Sequence, residues 1–415
     1  MTENTTSRGS AQTISPRRRR TLPQGVAYLL AASVIGLALF ASVTPSPLYG
    51  TYAELWGFSP AVLTLVYGTY AFGVLTTLIL AGRLSDEVGR RPVLLVALGT
   101  LLVTSLIYMV ADSVAYLFLA RGLQGLATGL ALAAASAALL DLHPRKDPAS
   151  VGLANGVASA GGIGLGMLVS ATAVQLLPAP RVLPYVVLLT LFAIAFAGAL
   201  LMPEPVRTRT KPRLTPQRPG VPAVVRRPFM LAGLGVLSSW SIGGLFFSLG
   251  PQLSAVVFDS TNHIVTALSV VLLAGTAAVA QFVFGKSAPW LGTAAGSLAL
   301  ATGLLLIVLA AVEESGALLI VGAILGGAGF GVAFLGSLRA LSVAIPNEHR
   351  AQVMSAFYVV AYASLSLPAV LAGIVVTPLG LESTFEIFGT VVAGLALLLA
   401  VEATRTRPRP VTAAA

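Results

Sequence analysis

Apolar positions along this chain come in long runs, without the one-faced or alternating patterns of a soluble domain. A window of about 19 residues finds twelve stretches long enough to cross a bilayer as helices. They fall at roughly 26–48, 60–81, 92–111, 115–141, 149–177, 181–202, 229–250, 262–284, 289–311, 317–343, 352–376 and 383–402, numbered here as spans 1 to 12. Gly and Pro interrupt several (Pro45, Pro47, Pro368 and the glycines of 322–331), which transmembrane helices tolerate better than soluble ones. The run after Arg17–Arg20 is about 23 residues long with eleven more behind it, so it reads as a retained helix, not a signal peptide. The polar stretches divide the chain into a disordered tail (1–22), six spans (23–202), a Pro- and Arg-rich linker (203–227), six more spans (228–403) and a second tail (404–415). The fold class expected is an all-α membrane protein, with twelve helices in two pseudo-symmetric six-helix bundles.

Composition removes the alternative. A 415-residue chain would suggest two or three soluble domains, but 56% of its residues are hydrophobic and 10% charged, against roughly 25% charged in soluble domains. Mean hydropathy is +0.90. There is no cysteine, and the three histidines (His143, His263, His349) stand far apart, so no metal cluster is legible. The net charge of +10 would suit a nucleic-acid binder. Its placement argues otherwise: with the N-terminus inside, Arg181 alone among the Lys and Arg residues falls outside, Arg121 and Arg339 fall within spans, and the rest gather on the cytoplasmic side. That is the positive-inside pattern of a cell-membrane protein with both termini in the cytoplasm, in contact with lipid and not with nucleic acid.

An offset of 202 residues superposes the two halves. Leu123, Gly125 and Gly129 fall on Leu325, Gly327 and Gly331, and Pro144, Ala149, Val151 and Ala154 fall on Pro346, Ala351, Val353 and Ala356. Such halves usually enclose a site near the bilayer midplane.

Between spans 2 and 3 the chain reads Gly82-Arg83-Leu84-Ser85-Asp86-Glu87-Val88-Gly89-Arg90-Arg91-Pro92. A short turn there needs Gly82 and Gly89 for close packing, and Asp86 can pair with Arg90 one helical turn on. In span 4, Arg121, Gln124 and Thr128 share a stripe at 100° per residue, with Gly125 and Gly129 at its flank letting a neighbour approach. An arginine facing lipid there would cost several kcal/mol, so Arg121 should face a cavity or a partner. The two prolines of Thr44-Pro45-Ser46-Pro47-Leu48-Tyr49, at the outer end of span 1, break its ladder and free carbonyls toward whatever lines the cavity. The first two motifs resemble the major facilitator superfamily, whose loop signature is G-x-L-(A/S)-D-x-x-G-R-(K/R) and whose span-4 motif is R-x-x-Q-G-x-x-x-G. The resemblance implies that Gly82, Asp86, Gly89, Arg90 and Arg91 form a cytoplasmic gate with Asp141 at the end of span 4. The chain departs from the family's antiporter signature in span 5: Gly156, Gly161, Gly162, Gly164 and Gly166 stand there without a Gly-Pro step.

The function expected is a secondary active transporter that exports a small organic compound by alternating access, with a proton gradient as the candidate driving force and no cofactor, metal or catalytic residue. The alternative is an uptake symporter or facilitator on the same fold. The candidate substrate and coupling cavity comprises Arg121, Gln124, Thr128, Ser33, Phe40, Trp240, Phe247, Tyr358 and Tyr362. These positions carry aromatic faces and few charges, which disfavours sugars and cations. Spans 1 and 7 hold no Asp or Glu that could carry a coupling proton. No G-x-x-x-x-G-K-[ST] loop occurs, which argues against an ATP-driven pump. A monomer is the expected working unit.

Overall fold

The computed structural model describes residues 21–206, 219–346 and 349–405. The expectations for the disordered tails and for most of the linker concern residues outside these. Among the described residues, eleven helical stretches are long and apolar enough to cross a membrane. The last, Gln352–Arg405, has 54 residues and would be ~80 Å long as one helix, far more than a bilayer of ~30 Å accommodates. It is divided at Gly380, whose φ of 83° no side-chain-bearing residue adopts comfortably. That division restores the twelve crossings of the sequence pattern.

Local chemistry starts and stops these helices. Span 2 (Pro60–Ala81), span 5 (Pro148–Leu176) and span 9 (Pro289–Val312) open on a proline at the first helical position, where the missing N–H costs nothing. Asp147 caps span 5 by accepting from Ala149 N and Ser150 N. The Ser150 hydroxyl and these two N–H groups hold its carboxyl below the usual carboxylate range. Span 1 is longer than the hydropathy suggests. It runs as helix over Gln24–Val43, tightens into a 3₁₀ turn at Ser46–Leu48 and resumes over Tyr49–Trp56. Pro45 and Pro47 account for the break. The loop after span 2 also differs from a simple turn. It holds a short helix, Leu84–Val88, and Gly89 then turns the chain into span 3 (Arg90–Met109) with φ of 109°. Gly82 is ordinarily helical (φ −58°), so only the second glycine of that loop is required by conformation.

Glycine notches set the packing within each half. A Cβ at Gly125 or Gly129 of span 4 (Val114–Leu142) would collide with the Tyr70 carbonyl or with Thr77 of span 2. One repeat later, a Cβ at Gly327 or Gly331 of span 10 (Gly316–Ala344) would collide with Leu273 or Ala277 of span 8 (His263–Phe284). The offset seen in sequence is therefore a packing register. Span 5 serves both halves: Gly162 and Gly166 press on Gly36 and Phe40 of span 1, whereas Gly164 meets Gly275 of span 8.

The Leu22 N–H donates to the Leu201 carbonyl, and residues 219–227 lead into span 7 (Arg226–Val257) on the same side of the bundle, the linker side. On the opposite, far side the seam between the halves is closed. Residues 241–250 of span 7 and 40–49 of span 1 are all buried, whereas their linker-side portions are partly exposed. Among the described residues, two hydrogen bonds join the halves, both on the far side: Ser46 Oγ to the Phe247 carbonyl (3.2 Å) and His263 N–H to Gln175 Oε1 (2.8 Å). The first has a backbone cause. Pro251 has no N–H to offer the carbonyl four residues earlier, so Phe247 is left free to accept from Ser46.

Candidate functional site

The centre of the molecule is built around one cation. Arg121 is completely buried. Its Nε donates to the Tyr49 hydroxyl (2.8 Å), Nη2 donates to the same oxygen, and Nη1 donates to the Ser42 carbonyl (2.6 Å) and to Gln124 Oε1 (2.9 Å). The rings of Tyr49, Tyr67 and Tyr70 surround the guanidinium at 5.6, 5.9 and 5.5 Å, within cation–π range. No carboxylate among the described residues pairs with it. The charge is held by neutral oxygens and aromatic faces alone.

The broken backbone of span 1 supplies one of those acceptors and offers two further carbonyls to neighbouring side chains. Pro45 cannot donate to the Ala41 carbonyl, which instead accepts from Gln124 Nε2 (3.0 Å). The Ser42 carbonyl takes Arg121, and the Thr44 carbonyl takes Ser170 Oγ (2.5 Å). Arg121 and Gln124, three residues apart on one helix face, thus satisfy a gap in the neighbouring helix that the prolines create. Behind them Tyr108 donates to Gln124 Oε1 (3.5 Å) and stacks on Tyr185 (4.7 Å between centroids). The Tyr49 ring lines a far-side crevice of about 180 Å³ with Ser46, Ser248, Gln252 and His263. It alone belongs both to that crevice and to the Arg121 cage.

On the seam side of Arg121, Tyr67 and Tyr70 join an aromatic cluster with Tyr362 and, less buried, Trp240 and Tyr358. Trp240 meets Tyr362 edge-on (5.2 Å) and Phe334 at a tilt (5.5 Å). Seven buried side-chain polar atoms among the described residues lack a hydrogen-bond partner, and three belong here: Tyr70 Oη, Thr128 Oγ1 and Trp240 Nε1. Tyr70 lies beside Thr128 and Ser42, yet neither it nor Thr128 completes a bond.

Of the expected cavity residues, Arg121, Gln124 and Thr128 therefore come together, and Trp240, Tyr358 and Tyr362 face them across the cluster. Phe247 belongs to the closed far-side seam, where its carbonyl is the functional group. Phe40 departs from the expectation. Its side chain belongs to the core of the first half, and its backbone is pressed against span 5 at Gly166, where a Cβ would strike the Phe40 carbonyl. Ser33 is exposed, nearly two helical turns from Phe40, and joins neither group.

The linker-side cluster also has a definite geometry. Arg90, 9% exposed, bridges three groups: Asp86 (2.5 Å), Asp141 (2.9 Å) and Ser85 Oγ (2.8 Å). Gly89 directs the chain into span 3, leaving the N–H groups of Arg90 and Arg91 without partners inside the helix. Both donate to Glu204, to Oε1 and Oε2 at 3.0 Å each. Arg91 enters this cluster through its backbone. Glu204, Tyr67, Tyr70 and Tyr108 are absent from the residues singled out by sequence, and Tyr49 stands there only as the end of the proline motif of span 1. Pro203-Glu204-Pro205 just after span 6 (Leu183–Leu201) was one available signal for Glu204, since an acid there faces the positive start of a helix.

Comparison with known proteins agrees with this architecture. A family model described as Major Facilitator Superfamily matches residues 29–364. The multidrug resistance protein MdtL of Klebsiella pneumoniae subsp. pneumoniae is 31% identical over 106 residues, and that of Shewanella oneidensis is 38% identical over 108. Each alignment covers 25% of this chain, and the chain spans 27% of the length of these relatives. Among solved structures, the human organic anion transporter MFSD10 (TETRAN) superposes with a TM-score of 0.65 at 18% identity, over 94% of this chain and 100% of that one. That likeness is one of fold.

Proposed function

This chain belongs to the major facilitator superfamily, a family of membrane transporters, and from that membership we propose that it exports a small, partly apolar organic compound from the cell by alternating access. The site lies where Arg121, Thr128 and Tyr70 of the first half meet Trp240, Tyr358 and Tyr362 of the second. The observation that carries this reading is the seam itself: an aromatic cluster beside a buried cation, sealed on the far side by Ser46–Phe247 and Gln175–His263. Opening that seal and closing the linker side moves the site's access from one face of the membrane to the other. The resistance-protein relatives favour export over uptake. The basic residues put the linker side in the cytoplasm of a cell membrane, where Arg90, Asp86 and Asp141 form the gate. In spans 1 and 7 the one acidic residue is Glu54, exposed at the far-side end of span 1, so any proton coupling runs through groups other than a carboxylate in the middle of those spans.

Two measurements test this. Expression in a bacterial host stripped of its own efflux pumps should raise resistance to some members of a panel of apolar aromatic compounds. The purified protein in proteoliposomes should then move the active compound against its gradient when a pH difference is imposed. Accumulation inside cells in place of resistance supports the uptake alternative. Single cysteines at Ser10 and Arg213, in a chain that has none of its own, should resist an impermeant thiol reagent in intact cells. Ready labelling of Arg213→Cys overturns the orientation.

A further inference from the structure

The electrostatics of the seam go further and define a substrate class, on the reading above that this is the transport site. Spans 1, 2, 4, 5, 7, 8, 10 and 11 all meet at or beside the seam, and in the whole sequence they carry two acidic residues, each near a helix end: the exposed Glu54 at the far-side end of span 1 and Asp141 at the linker-side end of span 4. Arg121 is their one charged residue far from a helix end. A guanidinium in so apolar a setting is costly unless an anion balances it, and every acceptor it now touches is neutral. The orphaned atoms point the same way. Trp240 Nε1 can only donate, and the hydroxyls of Tyr70 and Thr128 each have a proton to give. An unpaired buried donor is as expensive as an unpaired acceptor, so three in one cluster beside an uncompensated cation describe the complement of a missing partner. That partner has acceptors, a negative charge and a body that packs on aromatic faces.

We propose that the compound carried is an organic anion: an aromatic or aliphatic body bearing a carboxylate or sulfonate. Its charge sits in the field of Arg121 and its acceptors meet Trp240 Nε1, Tyr70 Oη and Thr128 Oγ1. Direct contact with the guanidinium is not required, because a charge in a low-dielectric site acts over several ångströms. Tyr70 and Thr128 are the groups between them.

Three probes of one shape and three charges separate this from its rivals: 1-naphthoate, 1-naphthamide and 1-naphthylmethylammonium, each measured by equilibrium dialysis with the full-length protein in nanodiscs. Naphthoate should bind about tenfold or more tighter than the amide, the scale of one hydrogen bond to a charged group, and the ammonium more weakly than either. Arg121→Gln should abolish the preference for naphthoate over the amide. Because that change also disturbs span 1, Trp240→Phe gives an independent reading. It keeps the ring, removes one donor, and should weaken naphthoate several-fold while an unaltered thermal transition reports intact folding. Equal or tighter binding of the ammonium overturns the anion assignment, as does binding of none of the three. Flux in proteoliposomes separates this from the transport reading. Preferential binding of naphthoate without movement across the membrane refutes transport at this site and leaves the charge assignment standing. Movement with the ammonium preferred does the reverse.

Discussion

The two halves of the molecule share a backbone plan and differ in chemistry. Gly125 and Gly129 seat span 4 on span 2 as Gly327 and Gly331 seat span 10 on span 8. The side chains mounted on that frame diverge. Arg121 of the first half corresponds at the repeat offset to Ala323, also completely buried. The loop after span 2 is held by an arginine between two carboxylates, Arg90 with Asp86 and Asp141. Its counterpart after span 8 is held by Arg339, which donates to the carbonyls of Gly285 (2.5 Å) and Ser287 (2.9 Å). An arginine on carbonyls is a fixed strut, whereas one between half-exposed carboxylates is a contact that water and salt can compete for. The difference teaches that duplication preserved the interface geometry, which packing enforces, and left the charges free to specialise. The first half holds the groups that can switch.

Exchanging the central charge breaks this comparison most severely. Ala323→Arg places a guanidinium in a fully buried site without the broken helix that feeds Arg121. It should cost about 3–5 kcal/mol, as uncompensated buried charges do, and leave little protein in the membrane fraction. Arg121→Lys should preserve expression and still lower transport on the order of 100-fold, since a point charge cannot serve Tyr49, Ser42 and Gln124 together. Transport at the wild-type rate by Arg121→Lys, at equal abundance, would show that the forked geometry is irrelevant.

The glycine frame should respond symmetrically. Gly125→Ala and Gly327→Ala each drive a methyl into a backbone carbonyl, of Tyr70 and of Leu273. Both should lower the thermal transition by the equivalent of about 1–3 kcal/mol. A large loss in one half with none in the other refutes the equivalence of the interfaces.

Much of this was legible in the sequence, and the reasons for the exceptions are physical. The twelve crossings follow from run length because lipid tolerates few charges, and Arg121, Gln124 and Thr128 follow from helical spacing. The tyrosine cage was hidden because rings at helical spacing usually mark packing, and only the fold shows that Tyr49, Tyr67 and Tyr70 converge on one charge. Phe40 and Ser33 lie apart from the cluster for a related reason. A stripe on span 1 has the right angle, but nothing in its sequence says which neighbour covers it; Gly166 of span 5 brings the two backbones together at Phe40, whose ring joins the core of the first half. Glu204 lies 114 residues from Arg90, beyond any local pattern. The bond between Ser46 and Phe247 was half-visible: Pro251 announces a free carbonyl without naming its donor.

The gate and the strut should separate by salt. Arg90→Ala should lower transport about tenfold, the scale of one charge-assisted contact, and its stability deficit relative to the parent should shrink as salt rises from low to about 1 M, where screening is short-ranged. Arg339→Ala should lose stability to a comparable degree with little salt dependence, because its acceptors are dipoles. The reversed pair, Arg90→Asp with Asp141→Arg, should recover part of the transport that either single change removes. Normal transport by both single variants contradicts the gate assignment.

The smallest effect sharpens the comparison at the start of the third helix of each half. Span 3 begins Arg90-Arg91-Pro92, and its first two N–H groups need an outside acceptor; Glu204 provides one oxygen to each. Span 9 begins with Pro289, which has no N–H, after Ala288, and it has no side-chain cap. One helix start is therefore satisfied by a carboxylate brought back from the start of the central linker, the other by deleting the donor. Glu204→Gln keeps one acceptor and replaces the second with an amide donor facing an N–H, so it should cost about 1 kcal/mol, the usual value of a cap, and loosen the linker from the loop that carries Arg90. Arg91→Pro would imitate the second-half solution by removing one of the two donors. The double variant should then lose less stability than the two single changes added together, measured by thermal unfolding in one detergent. Strict additivity would mean that Glu204 stabilises the loop through its charge alone, and that the two helix starts do not solve the same problem.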